Sequence, residues 1–129
     1  MKGNEIIVLA EKYLKSVPEI KRRIALMDED LKNCDYNMYT FKEIKESRDK
    51  LYLRLTKIIK AISTLKEENQ KIICYRYFEG LTYKAIALRV GYTGGTIARR
   101  IKKLLLHVGR IMFGFEDEFW MELGENMID

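Results

Sequence analysis

The residue types that support covalent or metal chemistry are sparse in this chain. It has two cysteines, Cys34 and Cys74, and one histidine, His107. The cysteines form no CxxC pair, and with a single histidine they cannot build an ordinary zinc site. His107 has no serine, cysteine or aspartate at a triad or metal-ligand spacing, so it reads as a partly exposed helix residue. Cys74 reads as a small packing residue, while Cys34 falls in a predicted loop. The run Gly91-Tyr92-Thr93-Gly94-Gly95-Thr96 lacks the G-x-x-x-x-G-K-[ST] spacing of a phosphate loop, and no strand precedes it. Catalytic residues, metal and cofactor are therefore all expected to be none, and the chain does not read as an enzyme. What remains is recognition chemistry, in which guanidinium and ammonium groups bind phosphates and base edges.

Three residues in 82–108 carry the steric signature of a helix-turn-helix. Ala87 is small enough for a second helix to approach. Gly91, four residues later, tolerates the positive φ of a tight turn. Ile97, six further on, is the branched plug between the two helices. Thr82 and Thr93 stand where the N-caps belong. Projected at about 100° per residue, Ile97, Ile101, Leu104, Leu105 and Val108 share one side of the second helix. Gly95, Thr96, Arg99, Lys102 and Lys103 share the other, with Arg100 on the flank. In this motif the outer face of the second helix enters the major groove. Arg99 is the candidate base reader, because a guanidinium bonds a guanine edge bidentately. Arg100, Lys102 and Lys103 are candidate phosphate contacts, which position the protein without reading sequence.

The charge distribution points to the same stretch. The formal net charge is +5. Residues 69–115 carry nine basic side chains and one acidic, a net of +8, and residues 116–129 carry six acids and no base. A one-sign block of this kind suits a polyanionic partner. The composition, 47% hydrophobic and 33% charged, is that of a globular chain rather than a disordered one. The longest uncharged apolar run near the N-terminus, Ile6–Ala10, is far short of a membrane span and has no signal-peptide layout. A reduced, cytoplasmic protein is the expectation, with no membrane partner.

The elements that must position these residues are all helical. One proline, Pro18, and few turn-forming pairs argue against a hairpin-rich β fold. Asn4 can cap a first helix with Ile6, Leu9, Tyr13 and Val17 on its inner face. Ser16-Val17-Pro18-Glu19 has the form of a capping box with proline in the first turn, which predicts a new or kinked helix there. Ile20, Ile24, Met27 and Leu31 are its stripe, and Lys21, Arg22 and Arg23 fall off it as a solvated face. Asn33–Thr40 should be a loop. Ile44, Leu51, Leu55, Ile58, Ile62 and Leu65 mark a third inner stripe. A further helix starts near Lys66, buries Ile72, Ile73 and Tyr77, and stops at Gly80. Ile86, Ala87 and Val90 line the next. The last helix is expected to end at Val108, with Gly109 as its stop. Tyr75, Tyr77, Phe78, Tyr83 and Tyr92 crowd this part, where core packing is preferred to base stacking.

The motifs also carry a family resemblance. Arg76-Tyr77-Phe78-Glu79-Gly80-Leu81-Thr82-Tyr83-Lys84-Ala85-Ile86-Ala87 resembles the RYFEGLSYEEIA pattern of region 4 in the sigma-70 family of RNA polymerase sigma factors. Gly91-Tyr92-Thr93 resembles its G-(I/V)-S, and Thr96-Ile97-Ala98-Arg99-Arg100-Ile101 its TVxxRL. The resemblance covers Leu65–Leu105, about a third of the chain. It implies a module that binds the −35 promoter element and touches polymerase, with Thr93 to Thr96 and Arg99 at the DNA. Two departures stand out. Ala85 replaces the acid usual before Ile-Ala. Gly94-Gly95 replaces a large polar pair, which removes two base-reading side chains and lets bare backbone approach a phosphate. The layout as a whole resembles the ArpU-like and RinA-like phage and prophage late-gene regulators.

The expected organisation is therefore a helical region over 1–65 for dimerisation or partner contact, a region-4-like helix-turn-helix over 66–114, and an acidic tail over 115–129. The DNA-binding set is Thr82, Tyr92, Thr93, Gly94, Gly95, Thr96, Arg99, Arg100, Lys102 and Lys103. Double-stranded DNA is the expected partner, with RNA polymerase and a second copy of the chain as further candidates. The expected function is sequence-specific transcription regulation, as a late-gene activator. A small terminase subunit and a pure protein-interaction module are the alternatives. The tail either docks on the body, contacts a partner or shields the basic face.

Overall fold

The computed structural model describes residues 3–33 and 38–113. Five helices make up its regular structure: α1 (Gly3–Lys32), α2 (Met38–Ser63), α3 (Glu67–Tyr77), α4 (Tyr83–Val90) and α5 (Gly94–Phe113). The fold is all-α, as the apolar spacing predicts. Cys34, part of the predicted loop and the whole tail from Phe115 onward lie outside the described residues. Met38–Thr40, expected in that loop, already belongs to α2.

Helix α1 runs without a break through Pro18, where a new helix was expected. The capping box does not form. The Ser16 hydroxyl instead donates to the Tyr13 carbonyl at 2.6 Å. Glu19 does not reach back to Ser16 but pairs forward with Arg22 and Arg23 at 2.6 and 2.9 Å. Proline costs about 3 kcal/mol in a helix interior. Val17 and Ile20, on either side of it, are both buried, so tertiary packing keeps the helical register. The inner face also turns slightly from the expected stripe. Ala10 and Leu14 are fully buried, while Leu9 and Tyr13 are half-buried on the flank.

Helix α1 packs against both α2 and α5, and the short α3 and α4 close on α5. One continuous core results. It joins Ala10, Leu14 and Val17 of α1, Ile58 and Ile62 of α2, Leu65 of the α2–α3 connection, Ile72 and Ile73 of α3, and Ile97, Ile101 and Val108 of α5. Buried residues on both sides of Leu65 belong to it.

The expected stop at Gly109 is a correction. Helix α5 continues through it to Phe113. Gly109 is the point where α5 crosses α1. A Cβ there would overlap Ile6 Cγ2 and lie 3.1 Å from both Ala10 Cβ and the Ile6 carbonyl oxygen. A sequence shows that a glycine can end a helix; it does not show that a second helix lies against it. At the end of α5, Phe113 meets Tyr13 edge-on, with ring centroids 4.9 Å apart.

Candidate nucleic-acid interface

The turns that orient the candidate reading helix follow from local chemistry. Gly80 has φ +71° and leads out of α3, and Gly91 has φ +83° at the end of α4. In both places the left-handed backbone favours glycine. Between them Thr82 caps α4, its side-chain oxygen accepting from the Ala85 amide at 3.1 Å. Arg76 braces the approach to α4. It donates to the Leu81 carbonyl at 3.1 Å and stacks on Tyr83, 4.1 Å from the ring centroid.

Helix α4 and helix α5 then meet as the steric triplet requires. Ala87 is 5% exposed and Ile97 fully buried, with Gly91 making the turn between them. Ile101, Leu104, Leu105 and Val108 are buried on the same side of α5 as Ile97. The inward and outward faces are those that the projection predicts.

The first turn of α5 is organised by two threonines. Thr93 caps it, its oxygen accepting from the Thr96 amide at 3.2 Å, and the two hydroxyls are 2.9 Å apart. Arg99 donates to the Thr96 hydroxyl at 3.4 Å. Thr93, Thr96 and Arg99 thus form a polar ridge at three-residue steps, with Arg99 exposed at its end. Gly94 and Gly95 lie beside it. A Cβ on Gly94 would come no nearer than 3.8 Å to the Lys84 backbone, and one on Gly95 would meet nothing within 4 Å. Neither glycine is required by packing within the chain.

The cations divide into two groups. Lys102 and Lys103 are exposed and have no ion-pair partner among the described residues. So does Lys84 on α4, which the DNA-binding set above omits although it abuts the start of α5. Arg100 is different. It donates to Glu68 of α3 at 2.8 Å and lies over the Tyr92 ring, 4.4 Å from the centroid. Arg100 and Tyr92, both in the expected set, are therefore engaged with each other and with α3. The Arg100 guanidinium holds the Glu68 carboxyl below the usual carboxylate range. Glu68 has no local signal in the sequence, because it lies 32 residues from its partner.

The aromatic residues largely take the expected packing role: Tyr77 is buried, Tyr75, Phe78 and Tyr83 pack half-buried against the core, and Tyr92 is exposed. Tyr77 is buried and donates to Glu11 of α1 at 2.8 Å. Tyr75 and Tyr83, like Tyr92, serve as platforms for arginines, Tyr75 for Arg89 at 5.0 Å. Cys74 is half-buried, and burial pushes its thiol above the ordinary value. That suits a packing side chain better than a nucleophile. His107 is exposed, with Nε2 3.5 Å from the Thr64 hydroxyl. Among the described residues no cluster of histidine, cysteine or acid could hold a metal, and no helix is long and apolar enough to cross a membrane.

Residues 61–108 match the family model of Sigma-70, region 4. The matched stretch runs from the end of α2 to Val108, and so contains α3, α4 and α5 up to its last turn and a half. It is a sigma-region-4-like helix-turn-helix, a module of DNA-binding regulators. No curated protein and no solved structure matches the chain.

Proposed function

We propose that the protein is a sequence-specific DNA-binding transcription regulator that acts with RNA polymerase, as an activator of phage or prophage late genes. One observation carries this reading. The outward face of α5 presents Thr93, Thr96 and Arg99 as a preformed ridge, flanked by Lys102 and Lys103, which have no ion-pair partner among the described residues. The match over residues 61–108 gives that face a precedent in promoter recognition and polymerase contact.

The mechanism is recruitment rather than chemistry. Cations neutralise phosphates and release counterions, which supplies affinity. Arg99, at the ridge's exposed end, reads a base edge in the major groove. The α1–α2 hairpin leaves Leu26, Tyr52 and Leu53 exposed at 49%, 49% and 68%. We assign that surface to polymerase or to a second protomer. The late-gene role draws its support from layout, a helical first half joined to a region-4-like second half.

Selection of bound sequences from random duplex DNA, followed by transcription with host polymerase on the selected site, tests the proposal. One enriched motif and stimulated transcription are the expected results. Failure to enrich any motif overturns it. A solution mass of many copies in a ring would point instead to a DNA-packaging subunit.

A further inference from the structure

A cleft of about 390 Å³ lies beside the reading face, between the start of α3 and the middle of α5. Its lining includes Lys66, Glu68 and Asn69 on one side and Arg100 and Lys103 on the other, with Tyr92 beneath the guanidinium. Three cations and one acid thus converge on it. The acid already occupies the best donor: Glu68 Oε1 sits 2.8 Å from Arg100 Nη1. A carboxylate oxygen in that position is what a phosphate oxygen would be in a bound complex. The pair is open to solvent, with side chains 29% and 49% exposed, and exposed pairs of this kind are weak. A polyanion can therefore displace Glu68. Lys66 and Lys103 have no ion-pair partner among the described residues and would gain one.

The position of the cleft fits one occupant. Moving around α5 at about 100° per residue, Arg99 leads to Lys103 about 40° away and to Arg100 about 100° away. The cleft therefore opens on the α3 side of the reading ridge. A helix lying in the major groove is flanked by the phosphates of the groove edge, and this is the side on which one strand must pass.

We propose that this cleft is a DNA phosphate site, in which Lys66, Arg100 and Lys103 hold one backbone phosphate and Glu68 gives up Arg100 when it arrives. The proposal rests on the DNA-binding reading above and adds to it a contact outside the reading helix. Glu68 is then an internal competitor. It keeps Arg100 ordered over Tyr92 while the site is empty and lowers affinity for any duplex alike.

Anisotropy titrations of a selected duplex and a scrambled duplex, at several salt concentrations, test it with the full chain. Lys66→Ala should weaken both duplexes equally and reduce the slope of log affinity against log salt by about 0.9. That slope change corresponds to about a threefold difference between 50 and 200 mM salt. Glu68→Gln should strengthen both, because the competitor is gone. If Lys66→Ala leaves affinity and slope unchanged, or if Glu68→Gln weakens binding, the cleft is not a phosphate site. Arg99→Ala, measured in parallel, separates the two levels. A change in sequence preference there with a silent Lys66→Ala overturns the cleft alone. Binding of neither duplex at low salt by the unaltered chain overturns both.

Discussion

Gly109 of α5 lies against Ile6 of α1 in a contact that has no room for a side chain. This crossing fixes α5 on α1, because the two helices bury Ala10, Leu14, Leu105 and Val108 in the same core. The hairpin and the helix-turn-helix therefore share one core, and Gly109 is where their helices come too close for a Cβ.

Gly109→Ala should destabilise the fold by about 1–3 kcal/mol, the range for overpacking a tight core. Gly95→Ala is the contrasting case. Its Cβ meets nothing within 4 Å, and alanine exceeds glycine in helix propensity by up to about 1 kcal/mol. Urea unfolding should give a lower midpoint for the first variant and an equal or higher one for the second. Equal midpoints for Gly109→Ala and the parent would contradict the crossing.

The bond from Tyr77 to Glu11 ties α3 to α1 at 2.8 Å. Burial pushes the Glu11 carboxyl up, but hydrogen bonds from Tyr77 and Lys15 outweigh it and leave the group below its ordinary value. A carboxyl depressed in the folded state stabilises above its unfolded pKa, and that stability is lost as pH falls through the folded value. Tyr77→Phe should cost about 0.5–1.5 kcal/mol near neutral pH. The difference from the parent should shrink as pH falls through the folded value of Glu11, which lies below its ordinary one. Chemical denaturation at pH 7 and pH 3 measures both. A gap that stays constant with pH would show that the carboxylate is not involved.

The roles assigned along α5 separate in a binding experiment. Arg99→Ala should relax preference at one base-pair position, with about 1–3 kcal/mol of discrimination lost there. Lys102→Ala should weaken all duplexes alike and leave the preferred sequence unchanged. Affinities for a panel of single-substitution duplexes distinguish the two. A changed preference in Lys102→Ala would place the helix in the groove with a different register.

The helix-turn-helix was legible because its constraints are local. Ala87, Gly91 and Ile97 act within ten residues, and the caps Thr82 and Thr93 act within three. The outward face of α5 followed from periodicity alone. What was not legible depends on partners distant in sequence. Pro18 reads as a break because the sequence assigns Val17 and Ile20 to the inner faces of two successive helices, and only the packed α1 joins them into one buried face. Gly109 reads as a stop because Ile6 lies 103 positions away. Arg100 reads as a free phosphate contact until α3 brings Glu68 to it.

The salt dependence of duplex binding tests the central claim most directly. Four or five phosphate contacts predict that log affinity for a selected duplex falls against log salt with a slope of about −4. The experiment needs one labelled duplex and a series of salt concentrations, with the scrambled duplex as control. A slope near −4, with the selected duplex bound more tightly throughout, is the predicted result. An affinity that does not change with salt, or no binding to either duplex at low salt, would contradict the account.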